Sequence, residues 1–142
     1  MESEESLLNK ISKELKDLVQ NLRIIDKRRI QADVNKRDLE EIAKILKEKF
    51  GAHLSMITCR DADKEFEVIY HFDINGNLLN LKTLTSKAIS KVPSIISIFP
   101  VADFYEREIM DLFGVKFEGH PKPRRFILPD NWPKNVYPLR KR

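Results

Sequence analysis

The chain has 142 residues, a net charge of +4 and one cysteine. This length suits one domain with a tail, and a lone Cys59 excludes a disulfide framework and a CxxC-based zinc or iron–sulfur site. No apolar run reaches the roughly 18 residues of a membrane helix, and the acidic N-terminus is unlike a signal peptide. We therefore expect a protein of a reducing compartment that reaches a membrane only by binding another component.

The first third of the chain predicts two amphipathic helices on either side of a bent strand. Apolar side chains recur at three- and four-residue steps over residues 3–20, which predicts the first helix. Two short β-like pieces follow at Leu22–Ile25 and Arg29–Val34. The second helix covers residues 35–50 and ends at Gly51, where a left-handed conformation is expected.

The middle of the chain predicts an antiparallel meander. Apolar and polar residues alternate over His53–Cys59, Glu65–Phe72 and Leu78–Leu84, as in half-buried strands. Asn75-Gly76 is a strong hairpin turn between the last two. A further short apolar strand is predicted at Ile95–Phe99, leading into the next helix.

A short helix after Val101 is the segment around which the other elements are arranged. Asp103 and Glu106 have the spacing of a capping box, and Gly114 stands where a left-handed residue would end the helix. Its apolar stripe must dock on a larger body, because so short a helix is marginal in water. The stripe comprises Tyr105, Ile109, Leu112 and Phe113, and the opposite side carries Phe104, Arg107, Glu108 and Asp111.

These elements give an α+β fold, with a mostly antiparallel sheet, helices packed on one face and an extended C-terminal tail. Residues 1–117 are expected to form one domain, with its core over 22–117, and residues 118–142 the tail. The tail is rich in proline and basic residues and contains Trp132 and Tyr137. Since a free tail should be poor in aromatics, we expect it to lie along a surface of its own domain or of a partner.

The motifs of most enzyme classes are missing from the sequence. Its four glycines form no phosphate-binding loop, and its three histidines lie far apart. His120, between Gly119 and Pro121, either fixes the turn through a backbone carbonyl, which we favour, or contacts a partner's redox site. A nucleic-acid-binding module and a small stand-alone redox enzyme remain as alternatives, although the charge surplus is small and no cofactor cradle is visible.

The segment from Glu106 to Arg125 resembles the signature of the C-subunit family of respiratory NADH:quinone oxidoreductases. That signature reads approximately ERE-x-x-D-L/M-F-G-x-x-F-x-G-H-P-x-x-R-R. The strand FEVIYHF and the step Val92-Pro93-Ser94 are also similar to the family, so the resemblance covers about residues 35–140. The related membrane-bound, energy-converting hydrogenases carry the same small subunit. The tail, ending in Pro138-Leu139-Arg140-Lys141-Arg142, is more similar to that hydrogenase branch.

The resemblance implies a hydrophilic subunit without a cofactor or active site of its own, held on the cytoplasmic face of the cell membrane. The expected partners are a hydrogenase-like large subunit and an iron–sulfur small subunit, which would carry iron–sulfur clusters and a nickel–iron centre or bind quinone. No nucleic acid is expected. The C subunit of an NADH:quinone or other coenzyme:quinone oxidoreductase is the alternative.

The interface with these partners is predicted to lie in the signature and the tail. The residues are Glu106, Arg107, Glu108, Asp111, Phe113, Gly114, Phe117, Gly119, His120, Pro121, Arg124, Arg125, Trp132, Pro138, Leu139 and Arg140.

Overall fold

The structure is a computed structural model, which describes residues 2–121, 128 and 131–141. Two short 3-10 turns, Lys16–Leu18 and Lys36–Asp38, connect some of the elements. In chain order the helices and strands are α1 (Glu4–Leu15), β1 (Val19–Asp26), β2 (Arg29–Val34), α2 (Leu39–Phe50), β3 (His53–Asp61), β4 (Glu65–Ile74), β5 (Asn77–Ser86), β6 (Lys91–Pro93), α3 (Ala102–Phe113) and β7 (Lys116–Glu118).

Five of the described strands form one sheet in the order β1-β2-β5-β4-β3. The predicted meander β3-β4-β5 is confirmed, and β1 pairs antiparallel with β2. In this sheet β2 and β5 run parallel, since α2 and the β3–β4 hairpin intervene before the chain returns as β5. Asn75 and Gly76 both have positive φ, as a two-residue hairpin turn requires. The α+β class with a mostly antiparallel sheet is thus confirmed.

The core lies between one face of this sheet and the helices. Strand β4 shows the pattern most clearly, because every second side chain from Phe66 to Ile74 is at most 2% exposed. The helices contribute stripes at helical spacing, such as Leu7, Ile11 and Leu15 on α1. Gly51 ends α2 in the left-handed conformation (φ 61°), as predicted.

The strand predicted at Ile95–Phe99 is wrong. The amides of Ile98 and Phe99 both donate to the Ile95 carbonyl, at 3.0 and 2.9 Å, so this apolar run is a helical turn. Its side chains are buried on one side of the turn, and composition alone cannot distinguish that arrangement from a strand. The strand in this region is β6, which pairs parallel with β7 in a separate two-stranded sheet.

The predicted capping box at the start of α3 is also wrong. The helix begins at Ala102, and Val101 in the cap position makes no side-chain bond. Backbone bonds from the preceding turn take over this role, since the Ala102 amide donates to the Phe99 carbonyl at 2.9 Å. Asp103 therefore lies inside the first turn and binds other groups.

Within the described residues no helix is long and apolar enough to cross a membrane. The helices α1, α2 and α3 have twelve residues each.

Candidate partner interface

The side of α3 that faces away from the core carries an aromatic ring beside a charged pair. Phe104 is 52% exposed, while Arg107 and Glu108 are half-buried. The Arg107 guanidinium lies 5.7 Å from the centre of the Phe104 ring, and its Nε is 3.1 Å from the carboxylate of Asp103. We call Phe104, Arg107 and Glu108 the outer face of α3.

Asp103 also fixes the turn that follows β7. The Nε2 atom of the buried His120 is 2.9 Å from the Asp103 carboxylate, and the His120 amide donates to the Phe117 carbonyl at 3.2 Å. This contact links the turn to Asp103, and the bond to a backbone carbonyl favoured from the sequence stays a prediction.

Glu106 points into the protein and is completely buried. The Ser94 hydroxyl donates to one carboxylate oxygen at 2.5 Å, and the Ile95 amide donates to the other at 3.0 Å. Burial raises the pKa of Glu106 to about 7, helped by the Asp103 charge and opposed by the two hydrogen bonds. Glu106 therefore ties α3 to the turn after β6.

The last turn of α3 is capped by residues far along the chain. We call residues 131–141 the C-terminal arm. The Leu139 amide donates to the Leu112 carbonyl at 3.0 Å, and Nε of Arg140 donates to the Phe113 carbonyl at 3.1 Å. These carbonyls belong to the group that a helix leaves without an internal partner, so the arm satisfies them.

An aromatic ring lies directly against the end of α3. The ring of Tyr137 occupies the space beside Gly114, and a Cβ at Gly114 would lie 2.6 Å from it. Gly114 has φ of +80°, so a left-handed glycine both ends the helix and admits the ring. The Arg140 guanidinium lies between two rings, 4.9 Å from the centre of Tyr137 and 5.0 Å from that of Phe66.

The end of the arm is bound by Asp61, at the end of β3. One oxygen of the Asp61 carboxylate is 2.6 Å from Nζ of Lys87, and the other accepts from the Lys141 amide at 2.6 Å. The Asp63 amide donates to Asp61 at 2.9 Å. Burial opposes ionisation, but these hydrogen bonds and the Lys87 charge outweigh it and lower the pKa of Asp61 to about 2.

A cavity of about 680 Å³ separates the arm from α3 and β7, and we call it the arm cavity. Lys91, Lys116, Lys134 and Glu118 are exposed and line it. Its apolar lining includes Met110, Val115, Phe117, Val136 and Tyr137. The cavity has the volume of a typical binding pocket, and its walls combine apolar side chains with positive charge.

The described residues contain no group of three His, Cys, Asp or Glu side chains placed to hold a metal ion. Burial, followed by the Asp61 charge, raises the pKa of the Cys59 thiol to about 12. The thiol is therefore protonated at neutral pH and a poor nucleophile.

The predicted interface residues divide into three groups. Five are buried in the chain's own fold, so they could support an interface only by positioning other residues: Glu106, Asp111, Phe113, Phe117 and His120. Nine are exposed or half-buried, and for these the interface stays a prediction: Arg107, Glu108, Gly114, Gly119, Pro121, Trp132, Pro138, Leu139 and Arg140. Arg124 and Arg125 lie outside the described residues.

Sequence reasoning missed Asp61 and Tyr137 as determinants of this region. Nothing in the spacing of Asp61 links it to the arm 80 residues later. The available signals were Gly114 at the end of a helix and a tail rich in aromatic residues. They indicate that the tail lies on a surface, but they do not identify that surface.

A family model described as the respiratory-chain NADH dehydrogenase 30 kDa subunit matches residues 32–142. The chain belongs to this family. The NADH-quinone oxidoreductase C subunit of Chloroherpeton thalassium is 42% identical over 82 residues, which are 56% of this chain and 33% of that protein. The protein of the same name from Acidothermus cellulolyticus is 29% identical over 128 residues, which are 81% of this chain and 67% of that protein. The chain thus spans from one third to two thirds of these relatives.

Two solved structures share the fold. A chain of the membrane-bound sulfane sulfur reductase, an archaeal respiratory membrane complex, superimposes with a TM-score of 0.82 at 26% identity, over 96% of this chain and 82% of that chain. The trypsin-resistant fragment of Nqo5 superimposes with a TM-score of 0.68 at 21% identity, over 82% of this chain and 98% of that chain. The second similarity is evidence of common architecture alone.

Replacing Gly114 by alanine should detach the arm. The new Cβ would collide with the Tyr137 ring, in addition to the strain of about 1–2 kcal/mol that a left-handed alanine carries. Gly51→Ala is the matched control, because it has φ of +61° and no atom within 4 Å of its Cβ. We expect both variants to lose stability. Only Gly114→Ala should change the emission of Trp132 and increase the rate of trypsin cleavage after Lys134. Equal Trp132 emission and equal cleavage in the two variants would contradict the docking of the arm.

Replacing Glu106 by glutamine should flatten the pH dependence of stability. The folded pKa is about 7 against an ordinary value of 4.5, so the folded chain holds an extra proton between these limits. Stability therefore falls as pH rises through this window, by up to roughly 3 kcal/mol. Glutamine does not ionise, and it can accept from the Ile95 amide through its oxygen and donate to the Ser94 hydroxyl through its NH2 group.

Urea unfolding at pH 5 and pH 8 measures this effect. Wild type should lose more free energy of unfolding between these pH values than Glu106→Gln. Asp61, whose pKa is lowered from 3.8 to about 2, changes stability only in more acidic solution, so it does not interfere. If the free energy of unfolding changed equally with pH in the two proteins, burial of Glu106 would not raise its pKa, and the prediction would be contradicted.

Proposed function

We propose that the chain is a non-catalytic, hydrophilic subunit of a membrane-associated, ion-translocating oxidoreductase complex, in which it docks on and stabilises the large subunit. The observation that carries this proposal is the match to a chain of an archaeal respiratory membrane complex over 96% of the present chain. The family membership supports it, and it disfavours both a free nucleic-acid-binding module and a stand-alone redox enzyme.

The outer face of α3 is the surface best suited to this docking. An exposed Phe104 beside the half-buried Arg107 offers an aromatic and a guanidinium group, the residue types that most often dominate binding energy. Asp103 holds Arg107 in place, so little side-chain entropy would be lost on binding. We propose that this face contacts the large subunit.

The proposed branch is the energy-converting hydrogenase type. Supporting it is the C-terminal sequence Pro138-Leu139-Arg140-Lys141-Arg142, which resembles the hydrogenase branch. The quinone-reducing alternative is favoured by the names of the curated relatives, which are C subunits of NADH-quinone oxidoreductases. In either branch we propose that partner subunits supply the iron–sulfur clusters and the nickel–iron or quinone site, and that the chain lies on the cytoplasmic side of the membrane.

Purification of the native complex through a tag on this chain tests the branch. A hydrogenase-type complex should contain stoichiometric nickel and a large subunit with paired CxxC motifs. Iron without nickel, together with quinone reduction, would contradict the hydrogenase assignment. Catalytic turnover by the isolated chain would contradict the non-catalytic role itself.

Phe104→Glu should reduce incorporation of the chain into the complex. The change removes the aromatic anchor of the interface and buries a carboxylate there, which costs on the order of 2 kcal/mol or more and corresponds to roughly a 30-fold loss. The fraction of tagged chain in the complex, measured on native gels of membranes, reports the effect, and the melting temperature of the free chain checks its folding. Ile89→Glu is the control, because Ile89 is 61% exposed outside the α3 face. Wild-type incorporation of a folded Phe104→Glu chain would contradict the proposed surface.

A further inference from the structure

Among the described residues that line it, the arm cavity has more exposed positive than negative side chains. Within the described residues, the ammonium groups of Lys91, Lys116 and Lys134 form no ion pair. The exposed acid among the described lining residues is Glu118. The other acid in the lining, Asp111, is buried and accepts a hydrogen bond from the Leu128 amide at 3.1 Å. Three lysines therefore face the opening against one exposed carboxylate.

The interior of the cavity differs from its rim. Val115 and Phe117 behind its wall are 0% and 4% exposed, so the accessible apolar surface of the wall belongs to the half-buried side chains of Met110 and Tyr137. On the arm side, Val136 is 47% exposed and contributes apolar surface. An occupant thus meets apolar side chains together with three exposed lysines.

The position of the arm keeps this cavity open. Tyr137 is packed on Gly114, and Nε1 of Trp132 donates to the Val136 carbonyl at 2.8 Å, so both walls are held by the chain's own contacts. A preformed site loses little entropy when it is filled.

We infer that the arm cavity binds an acidic segment of the large subunit, with an apolar side chain of that segment inside the cavity and its carboxylates on Lys91, Lys116 and Lys134. This inference rests on the proposed function and names a second contact besides the outer face of α3. Charge complementarity identifies the occupant, because burying three unpaired ammonium groups against a neutral surface would be unfavourable. A carboxylate-rich segment compensates that cost and is steered toward the rim during association.

Photo-crosslinking in the native complex tests the inference. The probe is p-benzoylphenylalanine, introduced at Val136 in the full-length tagged chain and irradiated in membranes of the organism that encodes it. We expect one dominant crosslink to a large-subunit peptide with net negative charge. The same probe at Leu84, which is 42% exposed on the far face of the sheet, is the control and should not reach that peptide.

A charge reversal adds a second readout. Lys116→Glu combined with Lys134→Glu should lower the yield of the Val136 crosslink roughly tenfold, in line with the loss of complementary rim charges. Lys27→Glu combined with Lys44→Glu makes the same change in net charge at exposed sites outside the cavity and should leave the yield unchanged.

The outcomes separate this inference from the proposed function. Recovery of the chain with the complex, but with crosslinks only to its own residues, to lipid or to a segment without acids, overturns the acidic occupant and leaves the proposed function intact. An equal loss of yield in the two double variants also overturns it. Failure to recover the chain with other subunits overturns the proposed function itself.

Discussion

The C-terminal carbonyls of α3 impose the constraint on which the rest of this region depends. A helix cannot satisfy its last carbonyls internally, and here Leu139 and Arg140 bind those of Leu112 and Phe113. The close approach is possible because Gly114 has no side chain where the Tyr137 ring lies. The arm is thus part of the folded domain, and its packing defines the cavity beneath it.

The carboxylates of α3 have separate structural tasks in this arrangement. Asp103 holds the His120 turn, Glu106 holds the turn at Ser94, and Asp111 accepts the Leu128 amide. A sequence pattern rich in acids therefore serves mainly to attach neighbouring segments to one helix. Among the described residues, the outer face of α3 and the lysines around the arm cavity are the surface groups that we propose for contact with a partner.

Most of the regular elements could be predicted from the sequence because their signals are local, but the helix predicted over residues 3–20 ends at Leu15, and Val19 already belongs to β1. Alternation identified β4, and the glycines at 51 and 114 marked helix ends that are indeed left-handed. Ile95–Phe99 was misassigned because a short apolar run fits a buried turn as well as a strand. The partners of Glu106 and Asp61 could not be predicted, since buried polar contacts depend on which segments meet in three dimensions. The aromatic content of the tail indicated an ordered segment without indicating its surface.

Family membership and the geometry of α3 support the proposed role, in which this chain packs its arm on its own domain and offers surfaces to a larger partner. The central claim is that the arm is docked on α3 before any partner binds. Amide hydrogen exchange of Leu139 and Lys141 in the isolated chain tests it most directly, because these amides donate to Leu112 and Asp61. The account predicts exchange at least roughly tenfold slower than in an unstructured peptide. Exchange at the unstructured rate would contradict it.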